Sequence, residues 1–211
     1  VGGWRAVPVP GGRGGASGAE VGPGNGEPGE SGFVKYTAGS TGSPKGVVLS
    51  HANRMANGRA MGAAVNAGPE DVCVSWLPLY HDLGLIGANF ASLVLGFPTV
   101  LMSPLAFLSR PASWMRAIHR HRGTMSGGPN FSFELCLRRI SEEDMEGVDL
   151  SSWRFAFNAA EPVSPETIVE FEKRFGKYGL RKNCLSPSYG LAESSVGVAI
   201  TAPGTPWPAD R

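Results

Sequence analysis

From residue 33 onward, short apolar runs alternate with segments in which apolar residues recur every three or four positions. The short apolar runs 33–37, 46–49, 72–76, 99–102, 124–126, 154–158 and 196–200 predict strands. Between them, 52–65, 85–95, 111–121, 130–140 and 165–178 carry helical spacing. Ser50 is an N-cap candidate for the first helix and Ser164 for the last, while Pro111 and Pro165 suit first-turn positions, where no amide hydrogen is needed. Alternating strands and helices predict an α/β architecture: a largely parallel sheet flanked by helices. Residues 1–32 lack this patterning, being rich in glycine with little apolar material after Val9, and read as a flexible lead.

The charge-free stretch 83–102 has the length of a membrane span. Gly84, Gly87, Gly96, Pro98 and the polar Asn89, Ser92 and Thr99 argue instead for a buried helix, 85–95, and a buried strand, 99–102, separated by Gly96-Phe97-Pro98. No integral membrane segment is expected.

With 211 residues, 42% of them hydrophobic, the chain can form one large core or two small ones. Nineteen basic against 18 acidic residues leave a net charge of +1, which gives no support for a nucleic-acid surface. Cys73, Cys136 and Cys184 are widely spaced and form no C-x-x-C pair, so neither a disulfide framework nor a structural zinc site is indicated. The sequence starts at Val1 without a basic-then-apolar leader, and a cytoplasmic location is expected.

The chemistry concentrates in Tyr36-Thr37-Ala38-Gly39-Ser40-Thr41-Gly42-Ser43-Pro44-Lys45-Gly46, between two predicted strands. Glycines let backbone N–H groups converge on an anion, hydroxyls add donors and lysine adds charge, so the composition suits a polyphosphate. It differs from the common G-x-x-x-x-G-K-[ST] loop, since Pro44 precedes the lysine and a strand follows it; a hairpin-like loop is expected. A Gly/Ser-rich surface turn is the bland alternative, and the lysine, proline and flanking strands weigh against it.

Four further segments draw attention. His81, in Trp76-Leu77-Pro78-Leu79-Tyr80-His81-Asp82-Leu83-Gly84, can gate a pocket, bind a carboxylate or act as a base, or simply be satisfied by Asp82 or backbone at a helix start. Gly127 and Gly128, in Met125-Ser126-Gly127-Gly128-Pro129-Asn130-Phe131, leave room for an apolar ligand chain or for tight helix packing. The small residues of Phe157-Asn158-Ala159-Ala160-Glu161-Pro162 can make a flat shelf for a planar base. Tyr189-Gly190-Leu191-Ala192-Glu193 supplies a ring for the other face of such a base and a carboxylate able to hold Mg²⁺, or else a core aromatic and a surface charge. His119 and His121 lie two apart on a helix and so do not share a metal.

Taken together, residues 36–46 resemble the phosphate loop of the adenylate-forming superfamily, and Tyr189 to Glu193 its adenine-and-magnesium motif. The Leu191-Ala192 version is similar to that of fatty acyl-AMP ligases. So are Leu77-Pro78-Leu79-Tyr80-His81-Asp82-Leu83-Gly84-Leu85-Ile86-Gly87, Ser126-Gly127-Gly128-Pro129-Asn130-Phe131 and Asp149-Leu150-Ser151-Ser152-Trp153-Arg154. The resemblance covers residues 33–199 and implies the central part of the superfamily's large N-terminal domain. It also implies its chemistry: a fatty-acid carboxylate attacks the α-phosphorus of ATP, and the acyl group of the resulting acyl-AMP passes to the phosphopantetheine thiol of an acyl carrier protein in polyketide or lipopeptide synthesis.

Carried over residue by residue, the resemblance implies that Thr37, Gly39, Ser40, Thr41, Gly42, Ser43 and Lys45 bind the phosphates and Glu193 holds Mg²⁺. Tyr189, with Gly190, Leu191 and Ala192, stacks on adenine opposite Ala159, Ala160, Glu161 and Pro162. His81 lies between carboxylate and α-phosphate. Gly127, Gly128, Pro129 and Asn130 line the acyl channel. Lys45, His81 and Glu193 are thus the expected catalytic residues, with ATP and Mg²⁺ as the expected cofactors.

Two departures stand out: Ala159 where relatives carry Gly, and Ala38 where many carry Ser. The ribose-binding aspartate, hinge and lysine-bearing C-terminal domain of the superfamily do not lie in these 211 residues, so they read as a domain, 33–201, of a longer ligase with 202–211 as its tail, and the piece alone is expected to be inactive. Two alternatives remain at this point: a fatty acyl-CoA ligase, with coenzyme A as acceptor, and a non-catalytic nucleotide- or acyl-binding remnant.

Overall fold

The computed structural model describes residues 27–37 and 45–206. Two strands, β1 (Ser31–Thr37) and β2 (Lys45–Ser50), form an antiparallel ladder of their own. Six others, β3 (Cys73–Ser75), β4 (Thr99–Leu101), β5 (Met125–Gly128), β6 (Phe155–Asn158), β7 (Leu185–Gly190) and β8 (Gly197–Ile200), build one sheet in the order β4-β3-β5-β6-β7-β8. All its neighbours are parallel except β7 and β8. The helices are α1 (His51–Ala64), a π-helical segment Leu83–Phe90 running into α2 (Ala91–Leu95), α3 (Pro104–Ser109), α4 (Ala112–His121), α5 (Asn130–Arg139) and α6 (Pro165–Phe175). Among the described residues, no helix is long and apolar enough to cross a membrane. The expected α/β architecture, a largely parallel sheet with helices against it, is what forms.

Local chemistry explains most of the helix ends. The Ser50 hydroxyl accepts the Asn53 N–H, and the Asn53 side chain returns the bond to the Ser50 N–H, so both orphan donors are satisfied. Ser164 caps α6 through the Thr167 N–H, with Pro165 next in line. Two elements arise outside the predicted set. β7 reads Leu-Ser-Pro-Ser-Tyr-Gly, with a proline inside and no alternation, yet β6 and β8 pair with it on either side. The short α3 starts at Pro104, where two apolar neighbours in the sequence hide its periodicity. The expected helix 85–95 starts earlier, at Leu83, and its first two turns are π-helical.

The side-chain period of two divides the sheet into unlike faces. One face carries Val74, Trp76 and Ala156 against Trp114, Phe133, Trp153 and Phe171, all buried. Rings there meet edge to face at 5.1 and 5.5 Å between centroids (Phe133 on Phe171, Trp114 on Phe107), and the Trp114 indole N–H donates to Ser126 Oγ at 2.8 Å. The other face carries Cys73, Met125, Phe155 and Phe157 and looks toward α1, the π-helical segment and α2. Those helices approach through small residues. A Cβ on Gly62 would stand 2.6 Å from a Leu95 methyl, so the absent side chain gives the Leu95 branch its place between α1 and α2. Gly87, Ala88 and Ala91 then face the sheet without filling the layer, and a cavity is left between them.

Candidate functional site

The segments of interest lie at the carboxyl ends of the parallel strands, where the loops of an open α/β sheet can meet a ligand. The β1–β2 ladder ends in the pair Thr37–Lys45, a hairpin as expected and not a strand–helix loop. The intervening residues, including Ala38, Gly39, Ser40, Thr41, Gly42 and Ser43, and the side chains of Thr37 and Lys45 lie outside the described part of the structure. Three contacts fix the hairpin against the rest of the site. Lys35 of β1 forms an ion pair with Asp82, the neighbour of His81. Leu49 of β2 packs with Ile86 and Val196. β2 also touches the 3-10 turn Ala192–Ser194, which holds Glu193.

His81 is exposed at the start of the π-helical segment. Its Nδ1 accepts the Leu83 N–H at 3.2 Å, which leaves Nε2 as the protonated nitrogen of the neutral ring. Its carbonyl takes the Gly84 and Leu85 N–H groups, so backbone on both sides fixes the imidazole at its post.

Glu193 precedes a strained turn. Ser195 has φ 68° and ψ −64°, and the Val196 N–H donates to Ser194 O at 2.9 Å, a γ-turn of the rare strained hand. The turn survives because Ser195 is buried and Gly190 lies beneath it: a Cβ on Gly190 would stand 1.8 Å from Val196 O. Glu193 itself is exposed and has no hydrogen-bond or ion-pair partner among the described residues, and no group of three or more His, Cys, Asp or Glu side chains there is arranged for a metal. A carboxylate without a partner among the described residues, beside the β1–β2 hairpin, has the chemistry that suits Mg²⁺, which takes one or two carboxylates and completes its shell with phosphate and water oxygens.

Ala159 and Ala160 follow the end of β6, on the side of Tyr189 and Gly190 of β7. Ala159 is buried in ordinary backbone geometry and needs no glycine. The strained position is Ala160, at φ 72°. Tyr189 is 61% exposed. Glu161 is turned away from the shelf: its Oε1 accepts the Phe131 N–H at 2.6 Å, at the first turn of α5. Pro162 is exposed.

Between these two pairs opens a cavity of about 290 Å³. His81, Ala159, Ala160, Tyr189, Gly190, Leu191 and Ala192 ring its mouth; Met61, Ala88, Ala91, Leu95 and Phe157 form its walls; Val65, Cys73, Phe97, Met125 and Phe155 close its far end. Apart from the rim the lining is apolar, and burial pushes the Cys73 thiol up to about 12, with the nearby Asp71 charge adding to the shift.

Gly127, Gly128, Pro129 and Asn130, expected to line an acyl channel, are not part of this lining. The space above Gly127 is taken by the Phe157 ring, 2.6 Å from where a Cβ would be, and that above Gly128 by Trp76 and the Ser132 hydroxyl. Asn130 is buried and accepts from Asn158 Nδ2 at 3.0 Å and the Ser164 N–H at 3.1 Å. The tight-packing alternative therefore describes these residues. Missing from the sequence reading was the far wall, whose residues share no motif; the one available signal was the small-residue spacing of Gly84, Gly87, Ala88 and Ala91.

A match to the AMP-binding enzyme family covers residues 16–211. The chain belongs to this family. This AMP-binding domain is 41% identical over 173 residues to the medium-chain-fatty-acid–[acyl-carrier-protein] ligase TtuA of Teredinibacter turnerae, covering 82% of the chain and 27% of that protein. It is 44% identical over 184 residues to the probable long-chain-fatty-acid–AMP ligase FadD30 of Mycobacterium tuberculosis, covering 83% and 31%. Among solved structures, the fatty acyl-adenylate ligase of L. pneumophila in complex with acyl adenylate and pyrophosphate superimposes with a TM-score of 0.82 at 42% identity, over 87% of this chain and 32% of that one. The AMP-binding domain thus spans under a third of the length of these relatives.

Proposed function

We propose that the protein carrying this chain activates a fatty acid as acyl-AMP and hands the acyl group to the phosphopantetheine thiol of an acyl carrier protein. The observation that carries the reading is the apolar cavity that opens between Ala159–Ala160 and Tyr189–Gly190 with His81 on its rim. An alkyl chain would lie in the cavity and its carboxylate would emerge at the rim, where a nucleotide would sit between Tyr189 and the Ala159–Ala160 backbone. The names of TtuA and of JamA of Moorena producens, both acyl-carrier-protein ligases at 41% and 42% identity, support the carrier protein over coenzyme A as acceptor.

In this reading a carboxylate oxygen attacks the α-phosphorus, the bond to the bridging β-oxygen breaks, and pyrophosphate leaves. Attack of one anion on another depends on alignment and charge neutralisation. His81 Nε2–H donates to the carboxylate or an α-phosphate oxygen, with the ring held by the Leu83 N–H. Thr37, Gly39, Ser40, Thr41, Gly42, Ser43 and Lys45 take the β- and γ-phosphates. Glu193 supplies the protein ligand for Mg²⁺, which would neutralise phosphate charge when bound. The apolar walls exclude water from the acyl chain.

Fatty-acid-dependent ATP–pyrophosphate exchange by the intact protein tests the first step, and acyl transfer to holo acyl carrier protein against coenzyme A tests the second. Exchange with transfer to the carrier protein is expected. Absence of exchange from a folded protein would sink the reading, and faster transfer to coenzyme A would replace the acceptor.

A further inference from the structure

The far end of the cavity is backed by a buried ionic knot, not by movable side chains alone. Asp71, 2% exposed, sits just before β3. Arg154, just before β6, donates from Nε to Asp71 Oδ1 at 2.8 Å and from Nη2 to Oδ2 at 2.6 Å. The same guanidinium donates to Val65 O at 2.8 Å and Asn66 O at 3.0 Å, which fastens the end of α1 to the sheet. Thr124, before β5, donates to Asp71 Oδ1 at 2.6 Å and accepts the Val72 N–H at 2.9 Å. Val65, Cys73, Met125 and Phe155, which close the cavity, each belong to or adjoin a residue of this knot. A chain pushing past them would have to part a buried charge pair, leaving at least one charge unpaired.

We infer that the Asp71–Arg154 knot is the end-stop of the acyl channel and limits the substrate to medium-chain acids of about ten carbons; this rests on the acyl-activation reading above. Two independent lengths agree. Phe155 and Ala159 stand at opposite ends of the cavity on one strand path, four residues apart, or about 13 Å at the usual rise. An extended chain advances ~1.2 Å per bond, as the 3.3–3.6 Å of a three-bond peptide unit implies, so ~11 bonds fit. By volume, 290 Å³ holds about ten groups of ~30 Å³, the share of a water molecule and close to that of a methylene.

The test uses the intact protein and even-numbered saturated acids from hexanoate to hexadecanoate in ATP–pyrophosphate exchange. kcat/KM is expected to peak at ten to twelve carbons and to fall about tenfold or more by hexadecanoate, in line with the discrimination a closed apolar pocket gives. Hexadecanoate used within about threefold of decanoate would overturn the end-stop while leaving acyl activation intact, since a difference that small is under one methylene's worth of discrimination. Exchange with no acid at all would instead overturn the activation reading. Met125→Ala opens the floor and removes only the weak contact of its sulfur with Arg154 Nη2 at 4.0 Å, leaving the Asp71–Arg154 pair in place, and Arg154→Lys keeps the charge but loses the fork on Val65 and Asn66; both are expected to move the optimum toward longer acids. An unmoved optimum in two folded variants counts against the proposal. Independently of turnover, photolysis of bound ω-diazirinyl decanoic acid is expected to label Cys73, Met125 or Phe155. Labelling confined to the rim at His81 and Tyr189 would overturn the assigned depth.

Discussion

The two ends of the main sheet are built on opposite principles. At the amino ends every polar group of Asp71, Thr124 and Arg154 is matched to a partner, and the motif Asp149-Leu150-Ser151-Ser152-Trp153-Arg154 turns out to be architecture. Asp149 accepts from the Ser151 N–H and hydroxyl and from Arg122, Ser152 donates to Gly123 O, and the Trp153 indole donates to Phe155 O. At the carboxyl ends, among the described residues, the structure holds unmatched groups instead: a carboxylate without a partner at Glu193, an exposed ring at Tyr189, and buried Trp76 Nε1 and Asn158 Oδ1 without hydrogen-bond partners, whereas positive φ occurs at both ends, at Asn66, Arg122 and Asn183 as well as at Ala160 and Ser195. The difference separates motifs whose polar groups are matched within the fold from motifs whose polar groups are left unmatched. Strain and unmatched polar groups persist where the surrounding fold can hold them and a ligand can use them.

The sharpest way to break this comparison is Arg154→Ala. It strands the Asp71 carboxylate and is expected to cost about 3–5 kcal/mol in urea unfolding of the 211-residue chain. The deficit should depend on pH. Burial alone raises Asp71, and the bonds from Arg154, Thr124 and the Gly68 N–H more than reverse this, holding it below its ordinary value. In the native protein its contribution is therefore full above the unfolded carboxylate value, about 3.9, and is lost as pH falls below it. Without Arg154 the buried carboxyl favours the protonated form, so the deficit should be largest at pH 7 and narrow toward pH 4. A deficit independent of pH would mean that the ion pair is not its source.

His81→Ala is the counterpart at the other end. Exchange by the intact protein should fall about 100-fold, the lower bound for loss of a positioned proton-donating group, with an unchanged melting temperature because the side chain is exposed. A lowered melting temperature with full activity would reverse the assignment of His81. Gly190→Ala should cost about 1–3 kcal/mol, since the new methyl meets Val196 O and the γ-turn must shift. The smallest effect is Ala160→Gly, which relieves a left-handed backbone and should stabilise by about 1 kcal/mol or less once the added chain entropy of glycine is offset. Destabilisation there would show that Ala160 is not strained.

Much of this was legible before any coordinates. Apolar patterning marked five of the helices and seven of the strands because each has a buried face with a regular period, and Ser50, Ser164 and Pro165 marked helix starts by local hydrogen-bond chemistry. β7 was illegible because Leu185–Gly190 has no alternation and carries Pro187; its pairing comes from β6 and β8. Gly127 and Gly128 show a related limit. Glycine announces room for a close neighbour but not which neighbour, and the occupants are Phe157 and Trp76.

The amino-acid sequence by itself determined the alternating α/β order, the hairpin before α1 and the family, because those depend on local periodicity and contiguous motifs. Only the tertiary structure decided where an apolar cavity opens. That volume is the gap between a sheet face of Cys73, Met125, Phe155 and Phe157 and a helical lid of Gly87, Ala88 and Ala91. A void has no residues of its own: it is a difference between surfaces far apart in the chain, and no single segment encodes it.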